Sequence, residues 1–344
     1  MSESALLTVS PSPHIHTQLT VKQIMWRVVI AMVPALLISV YNFGISALII
    51  TMMAVLFCAI TEYVIVKYLL HLEVTLFDGS AVITGMLLAF NVPTNLPIYM
   101  LLIGSMVAVG IGKLSFGGLG NNPFNPALVG RVFLLISFPV EMTTWPLPSG
   151  LLAGLDAVTG ATPLGLLKDG LRSGIAVPEL MTELPSYLSM FLGTYAGSLG
   201  EISGLALLIG LIFMLQQKVI TWHVPITVIV AVFAFSGLFW LIDPTQYADP
   251  VFHVFSGGAM LGAIFMATDY VTSPTSHRGM IIFGVGIGFF TVLIRIFGSY
   301  PEGISFAILI MNAFVPLINK YAKQHRYGTG RKATFAVADN ELIH

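Results

Sequence analysis

Ten long apolar runs decide what this chain can become. They lie at roughly 24–41, 43–66, 76–92, 96–113, 124–139, 201–217, 222–242, 250–268, 279–298 and 302–319. A hydrocarbon core about 30 Å thick is crossed by about 20 apolar helical residues. Backbone at that depth must satisfy its own hydrogen bonds, so helices are the expected form of every run. The fifth run is short and opens on Asn125-Pro126, which places its start in protein rather than in lipid. With 56% hydrophobic and 9% charged residues, the chain lies outside the soluble range. The expected fold class is an all-α polytopic membrane protein of about ten transmembrane helices. The single cysteine, Cys58, excludes an internal disulfide and a cluster held by four thiolates of this chain. The first 20 or so residues are polar and carry no short apolar core with a cleavage site, so no signal peptide is expected.

Charge in the short connections orients the runs. Lys22, Arg27, Lys67, Lys113, Lys218, Arg278 and the basic tail alternate with connections holding Asp243, Asp249 and Glu302. Both termini are therefore expected in the cytoplasm. The expected segments are a cytoplasmic N-terminus (1–20), five spans (21–139), a long outer loop (140–200), five more spans (201–320) and a cytoplasmic tail (321–344). Five spans on each side of an outer loop force the second half to be inverted relative to the first. Gly79-Ser80-Ala81-Val82 and Gly257-Gly258-Ala259-Met260 open matching small-residue runs, closed in the same register by Asn91 and Asp269. Such glycines also serve plain helix packing.

The outer loop carries the one polar stretch with a specific chemistry, Asp156 to Leu164. In Thr159-Gly160-Ala161-Thr162 two hydroxyls lie three apart among small residues, a shape that enters a modifying enzyme's cleft. Spacing alone favours an ordinary turn. Within the spans, Arg131 falls about 10 Å into the fifth run by helical rise, and Glu62 is a partner for it or for another cation. Asp78 and Asp269 end related runs and read in two ways: as ion-coupling carboxylates facing a cavity, or as helix caps. Phe116-Gly117-Gly118-Leu119-Gly120 follows no strand and is not a dinucleotide fingerprint. His71, His223, His253 and His277 show no spacing suited to haem or metal, so no metal site is expected. Trp26, Tyr41, Trp222 and Trp240 fit interfacial belts.

Several of these stretches together resemble one family, the NqrB/RnfD membrane flavoproteins, over about residues 10–320. They are Asp78-Gly79-Ser80, Gly112 to Gly118, Asn122 to Ala127 with Gly130-Arg131, Phe265 to Asp269, Arg295 to Gly298 and Asn312 to Pro316. The loop resembles that family's flavinylation motif, Asp-Gly-x-Ser/Thr-x-Ala-Thr, through Asp156, Thr159, Ala161 and Thr162, with Ala157 where the motif has glycine. Length and the missing N-terminal extension resemble the Rnf D branch rather than the quinone-reducing branch. The resemblance implies a subunit of a redox-driven Na⁺ or H⁺ pump of the bacterial inner membrane, working between ferredoxin and NAD. It implies FMN bound covalently through its phosphate to Thr162, and riboflavin held without a covalent bond. It also implies partner subunits, including a periplasmic FMN subunit and iron–sulfur subunits, and a flavin transferase for maturation.

Around that FMN the expected contacts are Thr159, Gly160, Ala161, Asp156 and Arg295, with Gly117, Gly118, Asn125 and Arg131 as further cofactor contacts. Lys168 and Arg172 are candidate phosphate partners. Asp78 and Asp269 are the expected ion-coupling residues. No acid–base catalyst of the chain's own is expected, and no nucleic acid partner. A ten-helix inverted-repeat transporter or channel without a redox cofactor is the alternative, and a scaffold that has lost its flavin a third reading.

Overall fold

A computed structural model describes residues 20–73, 76–148, 150 and 159–322. Asp156 lies outside the described residues. The first half runs through α1 (Val21–Phe43), α2 (Ile45–Val64), α3 (Ser80–Phe90), α4 (Ile98–Met106) and α5 (Pro126–Ser137). The outer loop follows with α6 (Pro139–Thr143), β1 (Trp145–Pro146), β2 (Thr159–Gly160), α7 (Pro163–Arg172), α8 (Val177–Glu183) and α9 (Tyr187–Leu192). The second half holds α10 (Gly204–Gln216), α11 (His223–Ile242), α12 (Pro250–Phe255), α13 (Ala259–Leu261), α14 (His277–Phe297) and α15 (Ile304–Tyr321).

All ten apolar runs fold as helix, but not as ten full spans. Among the described residues six helices are long and apolar enough to cross a membrane: Val21–Phe43, Ile45–Leu69, Ile98–Phe116, His223–Ile242, His277–Phe297 and Ile304–Tyr321. The third, fifth and sixth runs give shorter helices of 11, 12 and 13 residues. The eighth breaks into α12, α13 and a π-helical turn, Gly262–Met266. Glycine backbone explains two of these interruptions. Gly79 and Gly258 both hold left-handed φ, +89° and +69°, directly before α3 and α13. L side chains rarely adopt that conformation, so each glycine turns the chain and starts a new helix.

Side chains close the ends of the helices. Thr20 and Gln23 form a reciprocal capping box on α1. Asn125 Oδ1 accepts from Ala127 and Leu128 N–H at the start of α5, and Asp249 Oδ1 accepts from Val251 and Phe252 N–H at the start of α12, each with proline in the next position. Outward faces carry bare apolar side chains such as Leu37, Leu241 and Ile242, the reverse of a soluble protein. Inward faces use glycine to bring helix backbones together. A Cβ on Gly85 of α3 would stand 2.5 Å from Val55 Cα on α2, and one on Gly288 of α14 would stand 2.4 Å from Ala231 Cβ on α11.

The described part of the outer loop is packed on the rest of the molecule. Its helices bury Leu164, Leu167, Val177, Leu180 and Met190 against the main core. Beyond α9 the chain turns inward without helix, and every residue from Tyr195 to Gly204 is buried. Asn42 Nδ2 donates to Gly193 O (2.9 Å), Ser39 Oγ to Leu199 O, and Gly200 N–H to Phe90 O (3.0 Å). Such irregular backbone is tolerated at depth because protein surrounds it.

The α2–α3 contact makes a direct test. Gly85→Val forces backbone apart and is expected to cost about 1–3 kcal/mol, read as a lowered unfolding temperature in detergent. A substitution to valine at exposed Leu37 is the control and is expected to leave that temperature unchanged.

Candidate functional site

Thr162 sits at the N-cap of α7, with extended backbone and Pro163 in the first helical position. Its Oγ1 accepts the Gly165 N–H at 3.1 Å. The side chain is only 4% exposed, yet it lines a cavity of about 350 Å³ with Arg131, Trp145, Lys168, Arg172 and Tyr300. Trp145 is fixed there because β1 pairs antiparallel with β2, Trp145 opposite Gly160. Lys168 Nζ donates to Gly298 O, and burial followed by the nearby Arg172 holds its ammonium below the usual lysine range, with Asp169 opposing. Arg172 pairs with Asp169 at 3.9 Å, both largely exposed, so that contact adds little stability. The result is a walled cavity with a hydroxyl at a helix N-terminus and three cations against two carboxylates, Asp169 and Glu302, which leaves Lys168 and the helix end to favour an anion.

The floor of the cavity belongs to a buried charge network. Arg131 of α5 donates to Glu302 Oε2 and to Ser305 Oγ. Arg295 of α14 donates Nε–H to Glu302 O (3.2 Å), and its terminal nitrogens to the carbonyls of His253, Ser256 (2.7 Å) and Gly257 (3.2 Å). Arg295 thus binds the exposed carbonyls where the eighth run breaks, and it does not line the cavity beside Thr162. Leu164 of α7 lies over the same break: a Cβ on Gly257 would meet Leu164 Cδ1 at 2.2 Å.

A second, smaller cavity of about 80 Å³ lies by the other ends of α3 and α5. Ser80, Lys113, Asn122, Asn125 and Asp269 are among its walls. Lys113 Nζ donates to both Glu62 oxygens at 2.8 Å and to Ser80 Oγ at 2.7 Å, with both charged side chains nearly inaccessible. Asp78 accepts from the Ser80 N–H (2.8 Å) and hydroxyl (2.7 Å) and so acts as a local cap. Asp269 accepts from Thr272 Oγ1 at 3.0 Å and reaches the cavity wall.

The sequence-predicted residues therefore divide. Ala161, Thr162 and Arg131 share the outer cavity, whereas Asn125 and Asp269 share the inner one. Thr159 and Gly160 form β2 beside the outer cavity. Gly117 and Gly118 hold left-handed φ in the turn after Leu114–Phe116 and line neither cavity. Glu62 pairs with Lys113 and not with Arg131. Lys113 and Glu302, read from sequence as charges of opposite connections, are both buried partners of intramembrane charges. Glu201, buried in the loop before α10, carried no sequence signal beyond being a charge at the edge of an apolar run. His223 and His277 come from different helices yet stack at 4.3 Å between ring centroids. Among the described residues no group of three or more His, Cys, Asp or Glu is arranged to hold a metal.

Comparison with known proteins bears on this geometry. Residues 8–328 match the NQR2, RnfD, RnfE family. The chain is 43% identical to the D subunit of the proton-translocating ferredoxin:NAD(+) oxidoreductase complex of Clostridium ljungdahlii, covering 95% of this chain and 97% of the relative. It is 44% identical to the D subunit of the Na(+)-translocating ferredoxin:NAD(+) oxidoreductase complex of Acetobacterium woodii, covering 94% and 95%. It is 39% identical to the D subunit of the ion-translocating oxidoreductase complex of Klebsiella pneumoniae, covering 93% and 98%.

Removing one member of a buried pair strands the other. Lys113→Ala, which leaves Glu62 uncompensated, is expected to cost about 3–5 kcal/mol. The double change Lys113→Met with Glu62→Met is expected to recover most of that loss, measured as unfolding temperature in the same detergent.

Proposed function

The chain belongs to the NQR2, RnfD, RnfE family, and on that premise we propose that it is the D-type membrane subunit of an ion-translocating ferredoxin:NAD⁺ oxidoreductase. In this reading it carries FMN esterified to Thr162 and passes electrons between the outer face and the membrane interior. In the same reading two inverted halves of five apolar runs each, not all of them full spans, frame the site, with both termini in the cytoplasm of a bacterial cell. The observation that carries the flavin part is the outer cavity, where the Thr162 hydroxyl, a helix N-terminus and three cations converge.

The residues present fit such a group. A phosphate ester keeps an oxygen on Thr162 that can still accept the Gly165 N–H. The remaining negative charge is met by the positive end of the α7 dipole and by Lys168 and Arg172. Trp145, Tyr300 and Phe306 give the cavity ring-bearing walls. The hydroxyl, being buried, is reached from the cavity. When bound there, a flavin supplies electron transfer one electron at a time. The protein's part is to hold it at a fixed distance from the next carrier, with Lys168 and the start of α7 beside its phosphate.

Riboflavin fits less well. The inner cavity of about 80 Å³ lies below the roughly 300 Å³ at which ligand pockets begin, so its side chains must part before a three-ring system enters. Asp269 is the stronger of the two proposed ion-coupling aspartates because it lines that cavity and Asp78 does not; each accepts from a nearby hydroxyl. Partner subunits and a flavin transferase complete the proposal.

In-gel ultraviolet fluorescence of the denatured protein from its native host tests the tether. A fluorescent wild-type band that vanishes in Thr162→Ala is expected. A dark wild-type band sinks the covalent flavin and favours the transporter reading. Asp269→Asn is expected to lower ion uptake into vesicles while electron transfer persists, and unchanged uptake removes that residue from coupling.

A further inference from the structure

The buried loop 195–203 carries one acid, Glu201, which nothing above employs. It is 4% exposed and its Oε2 has no hydrogen-bond partner. The approach is close on the far side: a Cβ on Gly258 would lie 2.9 Å from Glu201 Oε2, which only glycine avoids. Glu201 therefore points at the break in the eighth run, beside the carbonyls of residues 256 and 257 that Arg295 binds. Ser256 Oγ, at that break, is likewise buried without a partner. An ionisable side chain buried inside a membrane protein is expensive and marks function more often than packing.

The charges around it specify which function. Arg295 and Glu201 flank the same glycine pair, with Arg295 Nη2 3.0 Å from a Cβ on Gly257 and Glu201 Oε2 2.9 Å from one on Gly258. Arg131 is the other guanidinium near enough to act on Glu201, and Tyr195 OH donates to Glu201 O at 3.4 Å. Arg131 is paired with Glu302, whereas Arg295 is bound only by neutral carbonyls. Two guanidiniums thus face two carboxylates, and the network is neutral only while Glu201 is ionised. A metal cation added here meets two fixed positive charges, whereas a proton needs no further ligands.

Arg131 and Glu302 also line the outer cavity. Negative charge arriving in that cavity repels the Glu201 carboxylate through a medium of low dielectric and raises its affinity for a proton. We propose that Glu201 is the redox-linked protonation site of this subunit, taking up one proton for each electron held in the outer cavity. The electron comes from the complex's reduced carrier and the proton from water. The proton adds to a Glu201 oxygen, giving a neutral carboxylic acid, and returns to water when the electron moves on. The carbonyl-bound Arg295 keeps the network from collapsing in either state.

This inference rests on the flavin reading of the outer cavity, and one measurement separates their failures. Redox-induced infrared difference spectra are recorded on the intact detergent-purified complex, in H₂O and D₂O. Reduction of the wild type is expected to give flavin bands together with a new carboxylic acid C=O band that shifts in D₂O. Glu201→Gln is expected to lose that C=O band and keep the flavin bands, and Glu201→Asp, the variant that retains an acid, is expected to move it. Flavin bands accompanied by a C=O band indifferent to both variants, or by none in wild type, overturn the role of Glu201 alone. Absence of flavin bands overturns the flavin reading, and this inference with it.

Discussion

A charge that leaves water for the interior of this fold must be met by another charge or by backbone dipoles, and that requirement organises the molecule. Desolvation costs several kcal/mol per ion. Arg131 meets Glu302, Lys113 meets Glu62, and Arg295 meets four carbonyl groups. Each match joins segments far apart in sequence: α5 to the start of α15, the end of the fourth run to α2, and α14 to the break after α12. The short third helix starts at Ser80, which Lys113 reaches, and the eighth run breaks at carbonyls that Arg295 binds, so those ends fall on polar partners rather than in lipid.

The broken helices follow from the same rule. A helix that stops inside the membrane leaves its last carbonyls unsatisfied. Arg295 supplies donors to His253, Ser256 and Gly257, and the left-handed Gly258 restarts the chain as α13. Across the molecule, Gly79 restarts α3, with Asp78 holding Ser80 at its first turn. In both places glycine performs the turn and a side chain satisfies the polar groups released by it.

Much of this was legible in the sequence, and the limits have physical causes. Helicity of the runs follows from hydropathy, because lipid leaves the backbone few alternatives. Their lengths do not follow, because a run such as 250–268 stays apolar across a break made by two glycines. Thr162 could be singled out through its motif, but its N-cap role and its cations depend on how α7 docks. Pairing of Glu62 with Lys113 is invisible in one sequence, since 51 residues separate them and Lys113 looks like an ordinary loop cation. Glu302 misled in the same way. Charge counting assumes that residues at the ends of runs sit in water, and here Lys113, Glu201 and Glu302 do not.

The outer cavity and the break in the eighth run are linked by packed side chains, and in the proposed reading this bears on how a flavin in the cavity and Glu201 can communicate. Leu164, two residues beyond Thr162, fills the space over Gly257, and Gly258 stands against Glu201. Arg131 lines the cavity while pairing with Glu302, whose carbonyl also receives Arg295. A change of charge in the cavity is therefore felt at the break by two routes, one through packed side chains and one through the field of the arginines. The electrostatic route needs no movement, because interior dielectric is low and the groups are already in place. Coupling of this kind does not require a pore along the axis of the bundle. It requires that an acid deep in the protein be left with an unsatisfied oxygen, and Glu201 is such an acid.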